Sequence, residues 1–529
     1  MRTIERGGRI YHLPASEEEL CELVRRADDE RRPIRVRGSA HSFPYGIYEN
    51  GGEADAVHVL LDDYCAIEGY GEDPATGRTT VTVQAGCRLT KAPPAARNGV
   101  GPGDLSRPWW RWARKGLLPR LHDAGLALDD LGGISHQTVA GFVSTGSAGG
   151  SLQYSLDVVG LRIIDARGEV RTVTADGDPE LFRAAGVCMG LLGIVSAVTF
   201  ACTERFFIRG SEQINKVDEA PVDLFGKRSD VPGLAQFLEE TEYTRLLWWP
   251  QPGVEKLTTW QARRLTQADF EAHPEKYGRP TAFRRRPYVE IGVRYFHFLR
   301  PNMPVIGWIR RKLHWLLSWP QQLVAGWIYT LLGIEHPRWY QRPCVALVRR
   351  FETQLINFFN QEEDPQEFWD TWWQGLPMDN QINDKLMPTW FTELWLPIEK
   401  AEEAMRVLRD MYANLSLREM GAFCVEIYAG AKAPFWLHPS GNRDTVRIDV
   451  FWFGKNQGDP RAFYQQFWDV LRPYAYRPHW GKYAPELERE ELDALYPELP
   501  RFRELCTERD PNGIFRSPYW NRHLHLDGG

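Results

Sequence analysis

Two stretches of small residues have the composition of loops that bind phosphate. The first runs from Gly38 to Ser42, directly after the β-branched and basic segment Pro33–Arg37, and it contains a single histidine, His41. The second runs from Val139 to Ser151 and contains four glycines. Consecutive backbone N–H groups in turns of this kind can hold a diphosphate. Two such stretches in one domain suggest a long cofactor that carries a diphosphate.

The first stretch resembles the diphosphate loop of the vanillyl-alcohol-oxidase-type (PCMH-type) FAD-binding fold, and the second resembles the other flavin loop of that fold. The approach to the second loop, Leu128–Gly141, matches the aldonolactone oxidase and alditol oxidase branch. The resemblance continues through Asp178–Ala185 and Met189–Val195 and resumes at Arg477–Lys482. It implies an FAD-dependent oxidoreductase that oxidises an alcohol.

The resemblance also implies which residues contact FAD. They come from both loops, from the segment after Met189 and from the C-terminal half: Arg37, Gly38, Ser39, Ala40, His41, Ser42, Gly141, Ser144, Thr145, Gly146, Gly149, Gly193, Ile194 and Lys482. His41 falls where many of these enzymes attach the flavin to an imidazole nitrogen, so a covalent FAD is expected there. A noncovalent flavin beside His41 is the alternative. Ala148 stands where the second loop often has a histidine.

A flavin that accepts a hydride gains negative charge near N1, so a cation is expected beside it. Lys482 resembles the residue in that role, although a surface lysine at a strand end is the alternative. Glu426 and Tyr428 correspond to a Glu-x-Arg strand, on which alternate residues share one face. Glu426 is expected to orient or deprotonate the substrate hydroxyl, unless it is a salt-bridged sheet residue. Tyr428 replaces the arginine, which removes a bidentate donor.

Asp449 and Phe451 fall where the polyol oxidases present His and Thr, so a pocket less polar than a polyol site is expected. The candidate catalytic residues are Lys482, Glu426, Tyr428 and Asp449. Two substrate classes remain open: a sugar, polyol or lactone, and an amphipathic or lipid-linked alcohol. Oxygen or another electron acceptor would reoxidise the flavin. Two alternatives to an alcohol-oxidising enzyme belong to other classes. One is a flavin-dependent reductase or dehydrogenase, and the other is a binding protein that catalyses no reaction.

Hydrophobic periodicity predicts the elements that position these residues. A capping signal at Ser16 predicts a helix from about Glu17 to Glu30, before a strand at Ile34–Val36. Further β-rich runs and the order strand, helix, strand, strand, helix after Trp390 predict an antiparallel sheet covered by helices. The fold class is therefore α+β, with a PCMH-type FAD-binding domain over residues 1–203, a cap domain over 204–485, and a C-terminal segment, 486–529, that returns to the FAD domain.

Bulk properties exclude several classes of protein. The 529 residues carry a net charge of -6 without a basic face, so no nucleic-acid partner is expected. The eight cysteines show neither a disulfide framework nor metal-ligand spacing, so no metal site is expected. The segment Met1–Arg6 lacks an apolar core of the kind found in secretory signals, so a cytoplasmic location is expected.

Two segments depart from the resemblance and are interpreted as insertions, at about 90–116 and about 300–340. The first ends in the basic, aromatic segment Trp109–Lys115. The second contains Leu313–Ile334, in which 22 residues include no Asp, Glu, Lys or Arg, and Pro320 divides it. An interfacial hairpin that makes peripheral contact with the inner face of a membrane is favoured over a true span. A buried core hairpin or a dimer patch remains the alternative.

Overall fold

The computed structural model describes residues 1–6, 8–47, 55–90, 116–273, 352–377, 389–421, 423–453 and 459–526, together with residues 277, 339 and 343. Residues 91–115 and nearly all of 300–340, the two predicted insertions, lie outside the described residues. The described ranges combine helices with mainly antiparallel sheets. The predicted α+β fold class is therefore confirmed.

Nineteen strands are described, in chain order β1 to β19. Their bounds are Arg2–Arg6, Arg9–Leu13, Ile34–Arg37, Val57–Leu60, Ile67–Glu72, Thr79–Gln84, Leu126–Ala127, Val158–Ile164, Val170–Thr174, Ile194–Ala201, Thr203–Glu204, Phe207–Lys216, Tyr243–Trp249, Lys256–Leu265, Glu363–Thr371, Thr389–Pro397, Val425–Gly430, Thr445–Phe453 and Arg477–Pro478. The strand predicted at Ile34–Val36 is present as β3.

Fifteen α-helices are described, in chain order α1 to α15. Their bounds are Glu17–Asp29, Pro44–Ile47, Leu117–Asp123, Val139–Ser144, Pro179–Ala185, Leu234–Glu240, Gln267–Ala272, Glu352–Phe359, Trp372–Gly375, Ala401–Ala413, Leu417–Met420, Pro460–Leu471, Arg489–Leu495, Leu499–Arg509 and Pro518–Leu524. Short 3-10 helices occupy Val217–Glu219, Ile398–Lys400 and Arg472–Tyr474. Within these ranges, no helix is long and apolar enough to cross a membrane.

The first sheet delivers the chain to the first small-residue loop. Its order is β1-β2-β4-β3, and β3 and β4 run parallel. Helix α1 begins where Ser16 Oγ accepts a hydrogen bond from the backbone N–H of Glu19. Leu20 and Val24 of α1 pack against Ile34 and Val59 of the sheet. This packing fixes the end of β3 at Arg37, from which the loop starts.

The second sheet has five antiparallel strands in the order β5-β6-β10-β8-β9. Strands β8 and β9 form a hairpin whose turn contains Arg167 and Gly168, with Gly168 at φ 71°. Helix α4, which starts the second small-residue loop, packs against β10. The side chain of Thr138 caps α4 by accepting a hydrogen bond from Gly141 N. The sheet therefore supports the second loop from behind.

The third sheet has eight antiparallel strands in the order β15-β12-β14-β13-β17-β18-β16-β19. Alternate residues of a strand point to opposite faces. In β18, Val446, Ile448 and Val450 are buried in the core that includes Met405 of α10 and Phe467 of α12. Arg447, Asp449 and Phe451 therefore point to the opposite face. That face carries the candidate active site.

The C-terminal helices pack against the strand that precedes the first loop. The backbone N–H of Ile34 donates to Ile514 O at 2.9 Å, and the Arg35 guanidinium donates to Arg516 O at 2.6 Å. Trp520 Nε1 donates to Gly46 O, just beyond the loop. These bonds join the last described helices to the first sheet.

Candidate active site

The first small-residue loop lies against the start of the second. A Cβ added at Gly38 would overlap Thr138 Oγ1, so only glycine permits this approach. Ala40 adopts a positive φ of 59°, which turns the chain sharply before His41. The rings of His41 and His136 meet edge to face, with centroids 4.2 Å apart. The structure therefore brings together the two stretches that were singled out as diphosphate loops.

The conformation of the second loop requires glycine at two positions. Gly146 adopts φ 70°, and a Cβ at Gly149 would overlap Asp130 Oδ1. Gly149 N donates to Asp130 Oδ2 at 2.6 Å. Of the other predicted flavin contacts here, Gly141 and Ser144 lie within α4, and Thr145 caps its C-terminus. A cleft of about 240 Å³ borders Gly146, Ser147 and Ala148.

These two loops fit a cofactor with a diphosphate. A side chain is excluded at Gly38 by contact with Thr138, so the backbone is the surface that such a ligand would meet there. Arg37 and Ser39 are buried beside this surface, whereas Ser42 is half-buried near Gly481. The geometry therefore supports the predicted binding of FAD between the loops.

Gly193 and Ile194 occupy a different position from the loops. Gly193 has φ 131°, and a Cβ there would overlap Ile164 O of β8. Ile194 is buried in the core that Ala140 of α4 packs against. Both residues therefore lie behind the second loop, and a direct contact with FAD stays a prediction for them.

A C-terminal turn joins the first loop to the third sheet. Gly481 O accepts a hydrogen bond from Phe43 N at 2.7 Å. His479 Nδ1 accepts a hydrogen bond from Gly481 N at 3.0 Å, and burial lowers the pKa of His479 to about 4. The imidazole is therefore neutral near pH 7 and can accept this bond. The turn then directs Lys482 onto the face of the sheet that carries Asp449.

Three carboxylates lie side by side on that face. The strand register places Asp449 of β18 opposite both Glu426 of β17 and Glu393 of β16. We call Glu393, Asp449 and Glu426 the acid row. All three side chains are buried. Buried carboxylates require cations or hydrogen-bond donors, which the surrounding residues provide.

Lys482 lies at one end of the acid row. Its Nζ is 2.6 Å from Glu393 Oε2 and also forms an ion pair with Asp449 Oδ2. Burial alone would lower the pKa of Lys482, but the two carboxylates raise it to about 12. The predicted site residues Lys482 and Asp449 are therefore in direct contact, and the lysine is charged.

The surroundings of Asp449 favour its protonated form. Burial raises its pKa well above the usual range, with a further rise from Glu393 and Glu426 that Lys482 opposes. Burial would also raise the pKa of Glu393, but Arg447 and Lys482 lower it overall. The Oδ1 atom of Asp449 has no hydrogen-bond partner among the described residues.

Glu426 and Tyr428 form the other end of the row. Tyr428 Oη donates to Glu426 Oε2 at 2.7 Å. Arg245 of β13 forms an ion pair with Glu426 Oε1, and its Nε lies 3.1 Å from that oxygen. Glu426 is thus a paired residue within the sheet, as the alternative interpretation expected, and it also faces Asp449 within the site.

Arg447 connects the acid row to the second loop. Its Nε donates to Glu393 Oε1 at 2.8 Å, and its Nη1 donates to Ala148 O at 2.8 Å and to Gly149 O. The guanidinium also lies over the rings of Trp395 and Tyr428, at 4.4 Å and 4.9 Å from their centroids. One side chain therefore links the third sheet to the loop assigned to the flavin.

Sequence reasoning missed Glu393, Arg447 and Arg245. A signal was present, because charged and aromatic residues alternate with apolar ones in β16 and β18, and residues that alternate in this way share one face. The pairing of the strands, which decides which residues become neighbours, is long-range. Arg245 in particular lies 181 positions from its partner Glu426.

Comparison with known sequences finds two regions of the chain that match family models. Residues 9–106 match an FAD binding domain, and residues 335–523 match a D-arabinono-1,4-lactone oxidase domain. L-Gulonolactone oxidase from Bos taurus is 22% identical over 520 residues, covering 96% of this chain and 94% of the relative. D-Arabinono-1,4-lactone oxidase from Saccharomyces cerevisiae is 28% identical over 261 residues, covering 49% of this chain and 42% of the relative.

Solved structures show the same fold. A cholesterol oxidase variant from Brevibacterium sterolicum superimposes with a TM-score of 0.64 at 13% identity, covering 97% of this chain and 94% of the other. At that identity the likeness concerns the fold alone. Together the comparisons confirm the predicted resemblance, the cofactor FAD and the oxidoreductase class.

Proposed function

We propose that this FAD-dependent oxidoreductase oxidises a CH–OH group of a small-molecule alcohol at the acid row. The observation that supports this most is the contact of Lys482 with both Asp449 and Glu393, on a sheet face that Arg447 ties to the second flavin loop. A charged lysine and a proton-accepting carboxylate are the two groups that the reaction requires of the protein.

The proposed reaction removes two hydrogens from the alcohol. The bound FAD supplies the hydride acceptor for the hydrogen on the carbinol carbon. Asp449 accepts the hydroxyl proton through Oδ1, since a carboxylate with a raised pKa is a stronger base when it is ionised. Glu426, oriented by Arg245 and Tyr428, holds the substrate hydroxyl. The product is the corresponding carbonyl compound.

Lys482 provides the positive charge for this reaction. Its raised pKa keeps it protonated throughout the physiological range, so it can stabilise the negative charge that a reduced flavin carries. Arg447 is a positioning residue, because its donors bind Glu393 and the carbonyl groups of Ala148 and Gly149. It holds the acid row at a fixed distance from the second loop.

Two substrate classes follow from different observations. The relatives are named as oxidases of sugar lactones, which favours a sugar lactone as substrate and oxygen as the acceptor. Tyr428 and Phe451, in place of polar residues, favour a less polar pocket and an amphipathic alcohol.

We further propose a covalent bond between FAD and His41. We propose that the chain divides into domains near residues 203 and 485. We also propose that the protein is cytoplasmic and that its insertions contact the inner face of a membrane peripherally.

Anaerobic reduction of the purified holoenzyme tests this function. Bleaching of the flavin absorbance by aldonolactones, polyols or alkanediols would support alcohol oxidation. Bleaching by NADH or NADPH with no response to any alcohol would contradict it and favour a reductase. Oxygen uptake after reduction distinguishes an oxidase from a dehydrogenase that uses another acceptor.

A further inference from the structure

Four half-buried aromatic side chains lie beside the acid row on the same face of the third sheet. They are Trp249, Phe391, Phe423 and Phe451, which we call the aromatic band. The ring centroids of Phe391 and Phe451 are 5.9 Å apart, those of Phe451 and Phe423 are 5.4 Å apart, and those of Phe423 and Trp249 are 6.5 Å apart. The rings therefore form a continuous apolar surface across the strands.

The strand register places this band one row from the acid row. Phe451 follows Asp449 by two residues on β18, and Phe391 precedes Glu393 by two residues on the adjacent β16. Residues two apart on a strand share a face and lie about 7 Å apart. Lys482 spans the boundary, since its Nζ lies 4.8 Å from the centre of the Phe391 ring.

The band is held in place by buried polar contacts. Gln251 is fully buried, and its Nε2 donates to Phe423 O at 2.6 Å and to Gly421 O at 3.3 Å. These bonds fix the backbone that carries Phe423. The half-buried Leu247, which pairs with Glu426, continues the apolar surface toward the acid row.

The difference in solvent exposure between the acid row and the aromatic band indicates a binding site for a ligand. Glu393 and Asp449 are 1% and 2% exposed, whereas the aromatic side chains next to them retain exposed surface. Apolar surface that remains open beside a buried polar cluster is characteristic of a binding site, where polar groups fix orientation and apolar walls provide affinity. A purely polyhydroxylated substrate would place hydroxyl groups against the three phenylalanine rings, which offer them no hydrogen bond.

We propose that the aromatic band binds the apolar portion of the substrate, so that the substrate class is an amphipathic alcohol. Its hydroxyl-bearing carbon lies at the acid row, and its hydrocarbon portion extends from there to Phe451 and Phe423, about 7 Å away. This inference rests on the proposed oxidation of an alcohol at Asp449 and Lys482, and it specifies which alcohols the site selects.

The test measures anaerobic flavin reduction in the holoenzyme with two series of alcohols. One is 1,2-butanediol, 1,2-hexanediol and 1,2-octanediol, and the other is glycerol, xylitol and an aldonolactone. The apparent second-order rate constant should rise about threefold to fourfold for each added methylene that the band buries. Phe451→Thr should flatten that rise, Phe451→Leu should keep most of it, and the exposed Tyr70→Ala should leave it unchanged.

The outcomes separate this inference from the function on which it rests. Reduction by polyols or lactones, with no gain along the alkanediols, would overturn the aromatic subsite and leave alcohol oxidation in place. A gain along the alkanediols that Phe451→Thr does not reduce would assign the apolar contact to another surface. Failure of every alcohol to reduce the flavin would overturn both proposals.

Discussion

Arg447 lies directly opposite Tyr428 on the neighbouring strand, with its guanidinium 4.9 Å from the centre of the tyrosine ring. Tyr428 stands on β17 where the resembling enzymes carry an arginine. In this site the guanidinium comes from Arg447 on β18 instead. Arg447 is buried, and its donors are directed to Glu393 and the second loop. The site therefore retains an arginine in a supporting position.

Arg447→Met should destabilise the protein by about 3–5 kcal/mol, because it leaves Glu393 buried with Lys482 as its remaining described cation partner. Chemical denaturation measures this change. Combining it with Glu393→Gln should recover part of the loss. Faster release of FAD, or slower reduction if FAD is covalent, should accompany the single variant, and Arg447→Lys should restore neither in full. If the single variant has wild-type stability and wild-type flavin behaviour, Arg447 does not stabilise buried Glu393 or position the second loop.

Asp130 should make stability depend on pH. Burial raises the pKa of Asp130 to about 6, from an ordinary value of 3.8, against the opposing hydrogen bond from Gly149 N. Between these values the folded protein holds a proton that the unfolded chain has lost, so its contribution to the free energy of unfolding falls as pH rises through this window. The total loss is up to about 3 kcal/mol.

Asp130→Asn removes this titration and can still accept the hydrogen bond from Gly149 N. The stability of the variant relative to wild type should therefore increase from pH 4 to pH 6 and stay constant above that range. Thermal unfolding at several pH values measures the difference, with the exposed Asp410→Asn as the matched control. A difference that does not change with pH would show that Asp130 does not titrate in this window.

His41 should carry the flavin covalently. Its position after the sharp turn at Ala40, beside His136, motivates this prediction. Mass spectrometry of the denatured protein should show a flavin adduct that His41→Ala abolishes, while His136→Ala retains it. An unmodified mass for wild-type protein that still binds FAD would refute the linkage.

The apolar segment Leu313–Ile334, with Arg310, Arg311 and Lys312 before it, should mediate membrane contact. One tryptophan contributes a few kcal/mol at most, so several anchors must act together. Replacing Trp315, Trp319 and Trp327 with serine should abolish sedimentation with anionic liposomes while the protein stays yellow.

Deletion of residues 303–336 should abolish the same sedimentation. Wild-type protein that stays free of liposomes at low salt would contradict membrane contact. A deletion that unfolds the protein, together with a serine variant that still binds liposomes, would place the segment in the core or at a subunit interface.

Much of the fold could be predicted from the sequence, because helix caps and hydrophobic periodicity depend on residues that are close together along the chain. The cap at Ser16 and the apolar face of the first helix gave its bounds, Glu17–Asp29, almost to the residue. The order strand, helix, strand, strand, helix predicted after Trp390 likewise includes β18. The partners of Asp449 could not be predicted in this way, because they depend on the pairing of β16, β17 and β18. Glu393 was overlooked for that reason.

The most direct test of the acid row compares flavin reduction by an alcohol and by the same alcohol with deuterium on its carbinol carbon, in wild type and in Lys482→Met. The deuterated alcohol should reduce wild-type flavin more slowly, since the C–H bond breaks in that step. Lys482→Met should lower the rate of reduction about a hundredfold, the scale of losing one charge-stabilising donor. Lys482→Arg, which keeps the charge, should lose less. Normal reduction in Lys482→Met with an unchanged flavin spectrum would contradict the assignment of Lys482 as the charge that stabilises the reduced flavin.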